Sequence, residues 1–265
     1  MIRAPFKRPI LAVCTTSYNC AQYLDQHFRS VFEALQGIEF EYVVVDNKSK
    51  DGTLEALRDL ANKYPQIICD SRRCSRGAGR QVAASLSQAG TILAVDVDTV
   101  YSPILRAFVD AYFDSFAQGG LALQAIYAGL YPRGLWFGVG GMRDLNFGED
   151  LDLWMRIWQH DRMRWYALPL GTNMKDAAHR DWQDFRSDRY GKWEKVTRLL
   201  RRELDLWKLR KYREMDLEAI RLARSVDLHL GPQVPRWFQD REPWNLSAVA
   251  RRVRADLHAL LQNGA

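Results

Sequence analysis

Short runs of aliphatic and β-branched residues alternate with longer amphipathic stretches through the first hundred positions. Ile10 to Thr16, Glu41 to Val45, Gln66 to Cys69 and Thr91 to Val95 read as strands. Gln22 to Leu35, Asp51 to Tyr64 and Gly79 to Ala89, between them, carry apolar residues at helical spacing. In the first of these helices Tyr23, Phe28, Val31, Phe32 and Leu35 share one face; Asp51 or Thr53 is suited to cap the second. Strand and helix in regular alternation predict an α/β fold with a mixed, mostly parallel sheet flanked by helices. The fourth strand, apolar from Ile92 to Val95, is expected at its centre.

Further along, Leu121 to Gly141 is apolar, aromatic and glycine-rich, and reads as strand, loop and strand. Gly148-Glu149-Asp150 opens a helix running to about Gln159, and Met163 to Leu168 reads as a returning strand. The last third is helical in pattern: Gly191 to Met215, Leu217 to about Val226, and about Leu246 to Leu261. This divides the chain into a main α/β unit over 1–180, with a first half at about 8–100 and a second at 101–180, and a helical extension over 181–265.

The net charge of +6 sits mostly in that extension, where 18 Lys and Arg face 13 Asp and Glu. A basic balance suggests an anionic partner without naming one. No stretch of about 20 apolar residues is present, and the basic first residues lead into a strand-like run without a cleavage site for secretion. A cytoplasmic location, soluble or at a membrane surface, is expected. Cys14, Cys20, Cys69 and Cys74 lack zinc-knuckle spacing and are expected to be free thiols.

The chemistry concentrates at the predicted strand ends: Thr16-Ser17-Tyr18-Asn19, Asp46-Asn47, Cys69-Asp70-Ser71-Arg72 and Asp96-Val97-Asp98. Open α/β sheets bind ligands at the carboxyl ends of their strands, so these should converge. Asp96 and Asp98 alternate across Val97 and place two carboxylates about 7 Å apart on one face. Such hard oxygen donors suit Mg²⁺ or Mn²⁺ shared with a diphosphate; they equally suit a turn before Ser102-Pro103. Glu149-Asp150 at a helix start is favoured by the backbone dipole in any protein. Gly77-Ala78-Gly79 begins like a dinucleotide-binding loop, but it follows the third strand and lacks the third glycine.

Taken in order, AVCTTSYN, VVVDNKSKDGT, SRGAGRQVAASLSQAGTILAVDVDT and GEDLDLWMRI resemble the family 2 glycosyltransferases of the GT-A fold over roughly residues 8 to 180. That resemblance implies an inverting transfer of a sugar from a nucleotide-diphosphate donor (UDP-, GDP- or dTDP-linked) to a glycan or lipid-linked acceptor. It places Thr16 and Tyr18 against the base and ribose, Asp46 on the base, and Arg80 at the base or diphosphate. It gives Asp96 to the ribose or the metal, Asp98 to the metal, and Asp150 the role of general base, with Glu149 and Asp152 in support. It also brings a late histidine, here His179, to the divalent metal, Mn²⁺ or Mg²⁺. Asn47 and Gln81 stand where the family often has Asp and Asn, which bears on base preference.

A sugar-nucleotide pyrophosphorylase is the enzymatic alternative, but it calls for a glycine-rich loop after the first strand. A non-catalytic basic module, binding membrane or nucleic acid, would leave the strand-end motifs unexplained, and nucleic acid is not expected. Trp193 to Trp207, ringed by Lys and Arg, either rests on anionic lipid at the inner membrane face or packs on the catalytic unit. Leu135-Trp136-Phe137 is expected as an exposed apolar segment that would help present a membrane-bound acceptor. His27, His160, His229 and His258 have no partners that the sequence identifies.

Overall fold

The computed structural model describes residues 9–174, 197, 200, 201 and 203–214. The elements run β1 (Leu11–Ser17), α1 (Ala21–Ala34), β2 (Phe40–Asp46), α2 (Thr53–Lys63), β3 (Ile67–Ser71), α3 (Arg76–Leu86), β4 (Thr91–Val95), β5 (Thr99–Tyr101), α4 (Ile104–Ser115), β6 (Ala122–Ile126), β7 (Ala128–Pro132), α5 (Arg133–Gly138), α6 (Glu149–Trp158), β8 (Met163–Pro169) and β9 (Gly171–Asn173). Seven strands form one sheet in the order β3-β2-β1-β4-β7-β6-β8, and β5 pairs with β9 separately. Only β7 opposes its neighbours in the large sheet, being antiparallel to both β4 and β6. The mixed, mostly parallel sheet expected from the alternation is therefore what forms, with Thr91–Val95 at its centre.

Successive strand side chains alternate between two cores. Leu11, Val13, Tyr42, Val44, Leu93 and Val95 face one side with Phe28 and Val31 of α1 and Phe108 and Val109 of α4. Ala12, Cys14, Val43, Val45, Ile92 and Ala94 face the other, with Ala83 and Ala84 of α3 and Leu153 and Ile157 of α6. A sheet covered on both faces needs apolar residues at every position, which is why β2 and β4 read as unbroken apolar runs. The strand order reverses direction between β1 and β4, so the crevice beyond their carboxyl ends is the expected ligand position.

Several expectations are corrected. The two strands expected within Leu121 to Gly141 are the hairpin β6 and β7, but they end at Pro132 and the short helix α5, which was not expected, follows. Trp136 of that helix is fully buried, its Nε1 donating to Gln81 Oε1 at 2.8 Å, so Leu135-Trp136-Phe137 is not an exposed apolar segment; only Phe137 is well exposed. α3 starts at Arg76, capped by Ser75 Oγ accepting from Ala78 N, and not at Gly79. The N-cap of α2 is Gly52; Asp51 instead accepts from Thr53 and reaches across to Ala21 N at the start of α1. As expected, Cys14, Cys20, Cys69 and Cys74 form no disulfide among the described residues.

Of the basic extension, 203–214 is helical. The predicted helices at Leu217 to Val226 and Leu246 to Leu261, and most of the run before residue 200, lie outside the described residues. Among those described, no helix is long and apolar enough to cross a membrane.

Candidate active site

The ends of β1, β2 and β3 are knitted together around one carboxylate. Asp46, at the end of β2, is fully buried. It accepts from Ser17 Oγ at 3.1 Å, Ser49 N at 3.0 Å, Ser49 Oγ at 2.5 Å and Ser71 Oγ at 3.4 Å. Burying a charge requires such a set of donors. Asp46 thus organises the strand ends, while Tyr18, next after Ser17 in the chain, is about half exposed. Asn19 and Ser49 join the two turns, Asn19 N donating to Ser49 Oγ and Lys50 N to Asn19 Oδ1. Thr15 Oγ1 donates to Val95 O at 2.8 Å and ties β1 to β4 across the reversal point.

Gly77 and Gly79 turn out to be sites of close packing. A Cβ on Gly79 would overlap the Thr16 methyl, and one on Gly77 would overlap Arg143 O. Gly77 N donates instead to Leu145 O at 2.9 Å. The glycines let α3 lie against β1 and against the loop leading into α6; that placement delivers Arg80 to the centre of the site.

Arg80 is where the distant motifs meet. Its guanidinium pairs with Asp96 at the end of β4, with Glu149 at 3.2 Å and with Asp150 at 2.8 Å at the start of α6. Arg76, one turn earlier on α3, adds a second cation to Glu149 at 3.3 Å. Glu149 is sealed from solvent, whereas about a third of the Asp96 and Asp150 side chains remains open. Burial, followed by the Asp150 charge, pushes the Glu149 carboxyl up to about 7. Burial likewise raises Asp96 to about 6, opposed by Arg80 and reinforced by Asp150 and Asp98. For Arg80 burial disfavours the charge, but Asp150, Asp96 and Glu149 more than offset it and the pKa goes up.

Asp96 and Asp98 flank a tight turn in which Thr99 N donates to Asp96 O. The buried Val97 anchors the turn, and Tyr101 Oη accepts from Asp96 N at 3.1 Å while donating to Tyr127 O at 2.7 Å. Asn173 Nδ2 donates to Asp98 Oδ1 at 2.9 Å, and Met174 N donates to Asp98 O. The β5–β9 pair therefore holds the second aspartate, and the chain leaves the described region at that point. His179 lies five positions on, outside the described residues. Among the described residues no three His, Cys, Asp or Glu side chains cluster as a metal cage. A cation bound through one or two carboxylates and a substrate diphosphate needs no such cage, and this donor set fits it.

Some participants were not singled out from sequence. Arg76 and Asn173 act on residues far along the chain; Ser17, Ser49 and Ser71 lay in the strand-end runs, but their bonds to Asp46 were not anticipated. Asp152 is engaged by Arg143 at 3.1 Å and Arg156 at 2.6 Å, so it braces α6. His27, for which the sequence identified no partner, is buried and bonds Thr99 O at 2.8 Å and Tyr42 Oη at 2.5 Å. His160 is exposed at the end of α6.

Residues 12–170 match the model of glycosyl transferase family 2. The chain belongs to that family. All the motif residues above except His179 fall within the matched span. A dolichol-phosphate mannosyltransferase of Pyrococcus furiosus is 30% identical over 95 residues, which cover 35% of this chain and 27% of that protein. An uncharacterized protein of Mycobacterium tuberculosis, MT1568, is 22% identical over 69% of this chain and 59% of its own length. The family 2 chain thus spans between about a quarter and three fifths of these relatives.

Among solved structures, the mannosyltransferase PcManGT of Pyrobaculum calidifontis, in complex with GDP-Man and Mn²⁺, superposes with a TM-score of 0.55 at 18% identity. The match covers 98% of this chain and 80% of that one. TarS 1–349 of S. aureus, in complex with UDP, gives 0.51 at 19% identity over 61% and 59%. These likenesses show the fold, which is the GT-A arrangement that the motifs implied.

Proposed function

We propose that this family 2 chain is a glycosyltransferase that moves a sugar from a nucleotide-diphosphate donor to an acceptor hydroxyl with inversion. The observation that carries the reading is the Arg80 junction. One buried guanidinium draws Asp96, on the donor side of the sheet, together with Asp150, on the side built from α6 and β6–β8.

The nucleotide enters beyond β1 and β2, with Thr16 and Tyr18 against base and ribose and Asp46 ordering the wall behind them. The relatives support this class of donor: TarS is described with UDP and PcManGT with GDP-Man. UDP-, GDP- and dTDP-sugars all remain donors to test. Asp98, with Asp96 and His179, would hold a divalent metal, Mn²⁺ or Mg²⁺, which would supply Lewis-acid stabilisation of the departing diphosphate. Asp150 Oδ accepts the proton of the acceptor hydroxyl as that oxygen attacks the anomeric carbon. The new bond forms opposite the leaving diphosphate, hence inversion. Glu149, buried between Arg76 and Arg80, fixes the start of α6. A base of this kind contributes about 10²- to 10⁴-fold. The acceptor is a glycan or a lipid-linked group; the surplus of 18 Lys and Arg over 13 Asp and Glu in residues 181–265 supports presentation at an anionic membrane surface.

Calorimetry with UDP, GDP and dTDP, with and without Mn²⁺, tests the class. Metal-dependent affinity for one of them is expected, and the absence of any nucleotide binding would remove the reading. Asp150→Asn then tests the base: kcat should drop by about two to four orders of magnitude with donor affinity kept.

A further inference from the structure

Asp46 and Asn47 follow one another at the end of β2 and turn to opposite faces of the sheet. Alternation puts Asp46 in the row of Tyr42 and Val44, which packs against α1. Asn47 continues the row of Val43 and Val45, on the side covered by α3. Thr16 is on that second side, its methyl lying where a Cβ on Gly79 of α3 would go. Asp96, two positions after Ala94, meets Arg80 of α3 there as well. The groups that surround the nucleotide in the scheme above therefore share a face with Asn47 and not with Asp46.

Asp46 also has no capacity left for a base. A carboxylate offers about four lone-pair sites, and Ser17 Oγ, Ser49 N, Ser49 Oγ and Ser71 Oγ occupy them. Asp70, near the end of β3, is committed to Ser71 N at 2.9 Å and to Arg72 Nε at 2.6 Å. Asn47 differs from both. Its N–H prolongs the β1–β2 ladder by donating to Ser17 O at 2.9 Å, which fixes the residue just past the Ser17–Asp46 pair. Its side chain is half-buried, and Oδ1 accepts from Cys74 N at 2.9 Å. A backbone N–H can only donate, so the amide oxygen must be the end that faces Cys74 and the amide nitrogen the end left over. Among the described residues nothing accepts from Nδ2.

We infer that Asn47 is the residue that selects the nucleobase, and that it acts as a hydrogen-bond donor: Nδ2 meets a carbonyl oxygen or a bare ring nitrogen, and a base turning an imino N–H to that point is refused. This rests on the reading of the crevice beyond β1 and β2 as the nucleotide site. In that reading Tyr18 supplies stacking area, which all bases use alike, so the choice among them falls to a polar edge. A carboxylate at position 47 would have the opposite preference. It would satisfy Cys74 N equally well and would accept from an imino N–H where the oriented amide cannot.

Calorimetry with UDP, CDP, GDP, dTDP and ADP in Mn²⁺ is run on the full chain and on Asn47→Asp and Asn47→Ala, with thermal melts to show that all three proteins fold. The wild type should bind one nucleotide about tenfold or more better than the weakest of the panel. In Asn47→Asp that nucleotide should lose about tenfold or more relative to the others, because its acceptor now faces a carboxylate. In Asn47→Ala, where neither preference remains, the affinities should draw together. A new carboxylate repels every diphosphate alike, so the ratio between nucleotides is the quantity that reports on the base. Equal losses across the panel in Asn47→Asp, or an order of bases that survives both substitutions, would overturn the inference while leaving the nucleotide site in place. So would a wild type that binds all five alike. Binding of none of them by the wild type would instead remove the nucleotide site itself, and this inference with it.

Discussion

Arg80 and Glu149 face each other at 3.2 Å with both side chains almost closed to solvent, one from the middle of α3 and the other from the first residue of α6. Two charges buried this deeply are stable only together, because removing one leaves the other unpaired in a poorly polarisable surround. Arg80→Ala should therefore lower unfolding stability by about 3 kcal/mol, Arg76 still serving Glu149. Arg80→Lys keeps the charge but cannot fork to Asp96, Glu149 and Asp150 at once, and should recover only part of the loss. Urea unfolding of the three proteins measures this, and an unperturbed Arg80→Ala midpoint would show the junction to be energetically idle.

The glycines of α3 make a separate prediction about the donor wall. A methyl on Gly79 meets Thr16 and Cys74, whereas one on Gly90, just before β4, meets nothing within 4 Å. Gly79→Ala should cost about 1–3 kcal/mol through overpacking and should weaken nucleotide binding by displacing Thr16. Gly90→Ala should be neutral or slightly stabilising by restricting the unfolded chain. Thermal melts and nucleotide titrations compare the pair; equal melting temperatures would show that α3 can shift away from β1 without penalty.

What the sequence made legible follows physical range. β4 read as central because four apolar residues in a row have no other place in a covered sheet, and α1 read correctly because Phe28 and Val31 repeat at helical spacing. α4 carried the same signal in Leu105, Phe108, Val109 and Tyr112, all buried, and was simply not picked out. α5 was not anticipated because its aromatic run shows no helical period; its Trp136 is fixed by a bond to Gln81, 55 positions away. β5 and β9 are three residues each and exist only by pairing with one another across some seventy positions. The site shows the same division: the carboxylates and Arg80 were visible in the motifs, but the pairing of Arg80 with Asp96, Glu149 and Asp150 and the Asn173 bond to Asp98 are tertiary facts.

His27 gives a pH dependence with a definite sign. Burial lowers its pKa from 6.5 to about 4, against the raising effects of the Thr99 bond and of Asp98. Between those values the unfolded chain takes up a proton that the folded chain refuses. The contribution is thus fully present above about pH 6.5, declines as pH falls, and is exhausted near pH 4, amounting to about 3 kcal/mol. His27→Gln should remove this part of the slope while lowering stability at neutral pH by loss of the Tyr42 and Thr99 contacts. Urea midpoints at intervals from pH 7.5 to 4 provide the check, and a variant whose midpoint falls as steeply as the wild type's would place the acid sensitivity elsewhere.

Asn173 offers the sharpest test of the metal reading, since it touches neither nucleotide nor acceptor in the proposed scheme. Its Nδ2 holds Asp98 Oδ1 from β9, and orienting bonds of this kind typically govern metal affinity by 10- to 100-fold. Asn173→Ala leaves the backbone pairing of β5 and β9 in place, so the turn from Asp96 to Thr99 should persist. Calorimetry should then show nucleotide affinity in Mn²⁺ reduced by roughly one to two orders of magnitude, with the weak metal-free affinity unchanged. Equal losses with and without Mn²⁺ would mean that Asn173 shapes the nucleotide crevice itself, and no loss in either would take Asp98 out of the metal's coordination.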